Sequence, residues 1–351
     1  MAGNGCWVIE NYTYRWYPRP RQYFRFAVSL HNHSCHSIEK LAALNQVVKL
    51  WFMRPFRDVL QSAFGLEWVP DLDYGEIYYR PPSTVADVSR TESAGVARLG
   101  YDGVHLSITD HDEVAGSIEL LQHRAADAHR VALGEELSLR FQNHLFHLGI
   151  THLPKSGIEE AHVNLQAAAR EGRLDDLFEM LRSSGCLVVL NHPLVPWGPD
   201  PRRKVPVEEL LQQYGWAIHA LEYNGMRCKE ENDRVLELAK LVKKPVVGGG
   251  DSHLLLASSV ISVCNAGSFE EFVAEVKSGQ AVPLIKSEYF APLQWKLFLR
   301  VLCFIAQYRQ IAYFRGRPVP DVLAHRTVLL DPVGYASRGF LSLVSTFGLT
   351  R

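Results

Sequence analysis

The chain has 351 residues, 47% of them hydrophobic and 21% charged, which is the composition of a folded globular protein and excludes a disordered or fibrous one. Lys plus Arg number 37 and Asp plus Glu 38, so no bulk charge marks a protein that coats nucleic acid or an anionic membrane. The length suits one large domain, an α/β barrel included, or two ordinary ones.

Taken in chain order, short apolar runs alternate with longer amphipathic ones, the pattern of an α/β protein. The strand-like runs are Phe26–Leu30, Val104–Thr109, Arg130–Leu133, Leu145–Ile150, Leu187–Leu190, Ala217–Glu222 and Pro245–Gly248. Helices are predicted at Ser83–Leu99, Leu174–Ser183, Glu230–Lys243 and Ser268–Gly279, the last opened by Ser268 as a cap. Two regions interrupt the alternation. Residues 40–82 hold an amphipathic run, Leu41–Phe64, and read as an insertion that serves as a lid. The tail carries an apolar helix candidate, Leu293–Tyr308, read as a packing appendage and a possible homodimer contact.

The cysteines Cys6, Cys35, Cys186, Cys228, Cys264 and Cys303 form no CxxC pair, which reads as reduced thiols and a cytoplasmic location. The N-terminus shows no apolar signal core. The most apolar stretch, Trp295 to Phe304, carries Lys296 and Arg300 and is too short to span a bilayer, so no membrane role is expected.

Histidine is the unusual residue, with 15 copies that track the strand ends. His31-Asn32-His33 follows the first run, and residues two apart on extended chain point the same way. Asp110-His111-Asp112 follows the second, Gly134-Glu135-Glu136 the third, and His144 and His147 lie in or beside the fourth. The fifth ends in Asn191-His192-Pro193, the sixth in Glu222, and the seventh runs through three glycines into Asp251-Ser252-His253. In a parallel barrel such ends converge on one face, where active sites are built. Imidazole and carboxylate donors suit zinc, manganese or iron, and so many of them imply two or three divalent ions. Such a cluster activates water for hydrolysis, most naturally of a phosphoester.

These motifs, with Ser37 and Thr109, resemble those of the PHP (polymerase and histidinol phosphatase) family across roughly residues 26–285. The resemblance implies a distorted (β/α)7 TIM-like barrel with the insertion at about 40–82, between an N-terminal extension, 1–25, and a helical C-terminal extension, 286–351. It implies a first ion on His31, His33, Glu136 and Asp251, a second on Glu136, His147 and His192, and a third on His111 and His253. Where the family usually supplies an acidic ligand after Ser37 this chain has Ile38, and the nearest substitutes are Glu39 and His36. Glu222 matches a recurrent acidic position, expected to orient a ligand or to face substrate. Asp110 is expected to accept a hydrogen bond that orients a ligand histidine, with a plain helix cap as the alternative. Asp251, His253 and His192 are the residues on which turnover is expected to depend.

Arg202 and Arg203 are candidates for a substrate phosphate, with solvated charge as the alternative. His144 is weighed between a ligand and a strand-start histidine, and His105, His162 and His219 are read as structural or solvated. The expected substrate is a small phosphoester or nucleotide. Two other readings stay open: a metal-dependent ester or carbamate hydrolase with an aromatic pocket at Trp51, Phe52, Phe56 and Phe64, and a non-catalytic, metal-stabilised scaffold.

Overall fold

The computed structural model describes residues 9–10, 23–40, 78–81, 83–195, 204–253 and 256–291. The chain divides into two compact units, Met1–Ser37 with Ser83–Ala291, and Ile38–Pro82 with Pro292–Arg351. In chain order the elements are β1 (Ile9–Glu10), β2 (Phe26–Ser29), β3 (Glu39–Lys40), β4 (Tyr78–Tyr79), α1 (Val85–Leu99), β5 (Gly103–Ser107), α2 (Ala115–His123), β6 (Val131–Ala132), β7 (Gly134–Phe141), β8 (His144–Thr151), α3 (Ile158–Glu171), α4 (Leu174–Ser184), β9 (Leu187–Asn191), α5 (Val207–Tyr214), β10 (Ala220–Asn224), α6 (Lys229–Val242), β11 (Val246–Gly249), β12 (Val260–Cys264), α7 (Phe269–Lys277) and β13 (Val282–Ile285).

In the first unit the strands form two mixed sheets. The six-stranded sheet runs β1-β13-β12-β2-β5-β6 and the five-stranded one β11-β10-β9-β8-β7. Strands β2, β5 and β6 are parallel, as are β9, β10 and β11, whereas β12 opposes β2 and β13, and β8 opposes β7 and β9. Two isolated bridges, Asn32↔Ser252 and His111↔Glu136, tie the sheets at the ends that carry the histidines. Among the described residues the ladder between the sheets is otherwise broken, so the α/β core of the expected distorted (β/α)7 barrel is built as two mixed sheets and not as a continuous barrel. The second unit contributes, among the described residues, the antiparallel pair of β3 and β4.

A tight hairpin accounts for part of the difference. Phe141 pairs with His144, so Gln142 and Asn143 alone turn the chain, with φ of 48° and 65°. That is the left-handed pair of a type I′ turn, which matches the twist of the flanking strands. The expected third strand, Arg130–Leu133, shrinks to Val131–Ala132 in one sheet. Glu136 does not follow it on a loop but lies within β7 of the other sheet. The sequence reading also lacks β12, β13, α2, α3 and α5.

Helix α1 shows how the local code works. Thr84 accepts from the Asp87 backbone N–H while the Asp87 carboxylate accepts from Thr84 N–H, and Gly100 at φ 79° ends the helix. Phe26, Val28 and Leu30 alternate along β2 into a core cluster with Val189, Ala220 and Val247 of the other sheet. Phe269 and Phe272 of α7 join the same cluster, and burying each such side chain contributes about 1.5–3 kcal/mol. A larger core lies between the five-stranded sheet and α3, α4, α5 and α6.

Candidate metal centre

Six segments of the first unit deliver side chains to one place. His31 and His33 follow β2, His111 follows β5, Glu136 lies in β7, His147 lies in β8, and His192 follows β9. Asp251 and His253 follow β11. Donor atoms within 4.8 Å of one another form the groups His31–His33–Asp251, His31–Glu136–His192 and His111–Glu136–His147, and His33, His111 and His253 converge in the same way.

Glu136 is the centre. It is fully buried, and its two oxygens face different histidines. Oε2 lies 3.1 Å from His31 Nε2, 3.4 Å from His33 Nε2 and 3.3 Å from His111 Nδ1. Oε1 lies 3.1 Å from His192 Nε2 and 3.4 Å from His147 Nδ1, and it accepts from Asn191 Nδ2 at 3.0 Å. Asp251 Oδ1 stands 3.8 Å from His31 Nε2 and 3.6 Å from His33 Nε2.

The surroundings orient these donors. Glu222 takes the Nδ1 side of His31 at 2.7 Å, which turns His31 Nε2 toward the cluster. The other Glu222 oxygen accepts from the His192 backbone N–H at 2.9 Å and from Asn224 Nδ2 at 2.8 Å. Asn224 also donates to Asp251 Oδ2 at 3.1 Å. Ser37 Oγ accepts from His111 N–H at 3.0 Å and lies 3.3 Å from His33 Nδ1. His253 Nδ1 meets the Asp251 carbonyl at 3.0 Å. Asp251 and His192 hold φ of 51° and 29°, left-handed backbone that a non-glycine residue rarely adopts and that clusters at functional sites.

The electrostatics call for positive charge at this point. Burial works against ionising Glu136, yet His31, His111 and His147 hold its carboxyl well below the usual range. Burial likewise opposes Asp251, which His31 and His33 keep well below normal. Burial would lower His31, but Glu136, Glu222 and Asp251 raise it well above an ordinary imidazole. Burial prevails at His147 and lowers it. Glu136 Oε2 makes no hydrogen bond in its buried position although three imidazole nitrogens surround it, and the Nε2 atoms of His31 and His33 sit 3.0 Å apart. Divalent cations fit this donor set of imidazoles and carboxylates.

The remaining candidates are placed as follows. Asp110 accepts from Ser34 N–H at 2.5 Å and Ser34 Oγ at 2.7 Å, so it secures the loop that carries His33. His36 pairs with Glu119 at 2.8 Å and joins none of the converging groups. Glu39 begins β3 in the second unit. His144 pairs with Phe141 at the turn of the hairpin, with Nδ1 3.3 Å from the Gln142 carbonyl. His105 meets the Ala266 carbonyl at 2.8 Å as a core histidine. Arg202 and Arg203, the 41–64 run with its aromatic residues, and the tail helix candidate lie outside the described residues. Sequence reasoning misses Asn191, Asn224 and Ser37 as orienting groups, since single polar residues at strand ends carry no spacing signal.

No family model matches the sequence, and no curated protein matches it. Solved structures do. A candidate metal-dependent phosphoesterase of Bifidobacterium adolescentis aligns at TM-score 0.36 and 18% identity over 49% of this chain and 82% of its own. An amidohydrolase of Chromobacterium violaceum with bound sulfate aligns at TM-score 0.38 and 15% identity over 64% and 87%. A two-domain protein of Bacteroides vulgatus, containing a predicted PHP-like metal-dependent phosphoesterase, aligns at TM-score 0.38 and 14% identity over 55% and 59%. Among the described residues no helix is long and apolar enough to cross a membrane.

Proposed function

We infer that the protein is a metal-dependent hydrolase and, within that class, a phosphoesterase acting on a phosphomonoester or nucleotide-type substrate. The observation that carries this reading is the two-sided Glu136 carboxylate, with His31, His33 and His111 at one oxygen and His147 and His192 at the other. His31, His33 and Asp251 would hold one manganese, zinc or iron ion beside Glu136 Oε2. His147 and His192 would hold a second beside Oε1. His111 and His253, with His33 between them, would hold a third.

Bound divalent ions would supply an activated water at neutral pH and charge to stabilise phosphoryl oxygens. The chain's own residues do the rest. Glu222 fixes the His31 ring, Asn191 fixes Glu136, and Asn224 fixes Asp251. His111 and His253 are 18% and 19% exposed against 0–2% for His31, His33 and Glu136, so substrate enters past them. Two divalent ions would outweigh the charges of Glu136, Asp251 and the nearby Glu222 and leave a positive centre, which suits an anionic substrate.

The test compares wild-type and Asp251→Ala protein, each supplied with manganese or zinc. The panel holds phosphomonoesters, phosphodiesters including short oligonucleotides, and aryl esters and carbamates. Phosphoester turnover that disappears in the variant is the expected result. Turnover of aryl esters or carbamates alone would replace this reading with an ester hydrolase. No turnover with metal retained would favour a metal-stabilised scaffold.

A further inference from the structure

Glu92 occupies the buried face of α1 in register with Val85, Val88 and Val96, where an amphipathic helix ordinarily places an apolar residue. It is 2% exposed. A carboxylate is retained in such a place only with firm partners, and the two that Glu92 takes are informative. Its Oε2 accepts from Ser29 Oγ at 2.8 Å, and its Oε1 accepts from the Ser258 backbone N–H at 2.7 Å. Ser29 is the last residue of β2, two positions before His31. Ser258 closes the loop that opens with Asp251 and His253.

The contact between these segments runs through Asn32, between the two β2 histidines. Asn32 Nδ2 donates to Ser29 Oγ at 3.0 Å and to the Ser107 carbonyl of β5 at 3.0 Å, while Ser258 Oγ donates to Asn32 Oδ1 at 3.3 Å. The backbones meet at the same level, His33 N–H donating to the Ser252 carbonyl at 2.8 Å. Lys286 is buried, and the Glu92 charge acts on its ammonium.

We propose that Glu92 is a positioning residue: one buried carboxylate fixes the β2 segment of His31 and His33 against the loop of Asp251 and His253, and thereby sets divalent-cation affinity. The inference rests on the metal-dependent reading above. It concerns a helix residue that touches no ligand imidazole and acts through Ser29, Asn32 and Ser258.

The experiment titrates manganese alone into the full chain stripped with chelator, by calorimetry, at a temperature where circular dichroism shows every variant folded. Glu92→Gln keeps the shape but removes the charge: the amide oxygen still accepts from Ser258 N–H and the amide nitrogen donates to Ser29 Oγ, so both arms lose their charge-assisted strength. Its manganese affinity is expected to fall about 10-fold, the low end of the range for partners bonded directly to a metal ligand, because Glu92 acts through intervening residues. Ser29→Ala removes the β2 arm together with its hydrogen bond from Asn32 Nδ2 and is expected to weaken manganese by several-fold, roughly just under the low end of that range. It decides the matter if Glu92→Gln does not fold. A lower melting temperature with unchanged manganese affinity in both variants would make Glu92 a stability residue and overturn the proposal, leaving the metal-dependent reading intact. Wild-type protein that takes up neither manganese nor zinc would remove that reading and the proposal with it.

Discussion

Gly249 ends β11 with Glu222 pressed against its backbone. A Cβ at that position would lie 1.7 Å from Glu222 Oε1, 2.6 Å from Cδ and 3.0 Å from Cγ. Gly249→Ala therefore forces the carboxylate away. Glu222 then loses His31 Nδ1 at 2.7 Å, the His192 N–H at 2.9 Å and Asn224 Nδ2 at 2.8 Å. A hydrogen bond to a charged group contributes about 1.5–3 kcal/mol, and breaking a buried charged pair costs about 3–5 kcal/mol. The three bonds share one carboxylate and fail together, so the expected loss is about 3–5 kcal/mol rather than their sum. Urea unfolding of cation-free protein measures it. The decisive form is a double-mutant cycle with Glu222→Ala, which removes the atoms that the new methyl would strike. In that background Gly249→Ala should cost less than about 1 kcal/mol, a coupling of roughly 2–4 kcal/mol. Additive costs, or a Gly249→Ala protein as stable as wild type, would refute the packing argument.

Two further outcomes are expected. Burial lowers His105 and His219 to about 4, His105 with a buried Nδ1 that has no partner and His219 with Nδ1 accepting from Val188 N–H at 3.0 Å. The unfolded chain takes up protons at about 6.5 that these folded sites refuse, so both favour folding above pH 6.5 and lose that contribution as the pH falls toward 4. Chemical unfolding between pH 7 and 4 should show a loss of about 3 kcal/mol at His105, less at the partly exposed His219, and His219→Asn should flatten the slope. In the hairpin, Gln142→Asn with Asn143→Gly supplies the residues a type I′ turn prefers and should raise stability by about 0.5–1 kcal/mol without changing manganese affinity. A loss of stability would show that the turn is held by something other than its backbone geometry.

The elements legible in the sequence are those whose signal is local. Helix α1 has its capping residues and an apolar stripe, and α4, α6 and α7 have acidic first turns with buried faces at helical spacing. The hairpin is harder to read because its turn holds no glycine and because Gly134-Glu135-Glu136 looks like a strand exit. The alternation of Leu137, Leu139 and Phe141 ahead of Gln142-Asn143 is the available sign of an antiparallel pair. Strands β12 and β13 follow the last histidine motif and carry no chemistry that marks them. Their antiparallel entry into the first sheet is a long-range pairing that no local period encodes.

For the site, residue type and local geometry are enough to find the donors but not what holds them. His31 and His33 share a side of extended chain, so their Nε2 atoms meet, as period-two spacing requires. Glu136 is legible by its chemistry but not by its element: a shift of one residue along β7 would send it to the other face, where Glu135 meets His162 and Gln166 of α3 instead. The orienting groups are harder, because an asparagine or serine that completes a buried hydrogen-bond network looks like any other asparagine or serine. Glu92 is the exception that shows what such a signal consists of. A charge in the apolar register of a capped helix conflicts with burial, and that conflict can be read from the residue order of α1 alone. Its resolution, a carboxylate shared by two histidine-bearing segments, requires Ser29 and Ser258 to be close, and they are separated by 229 residues.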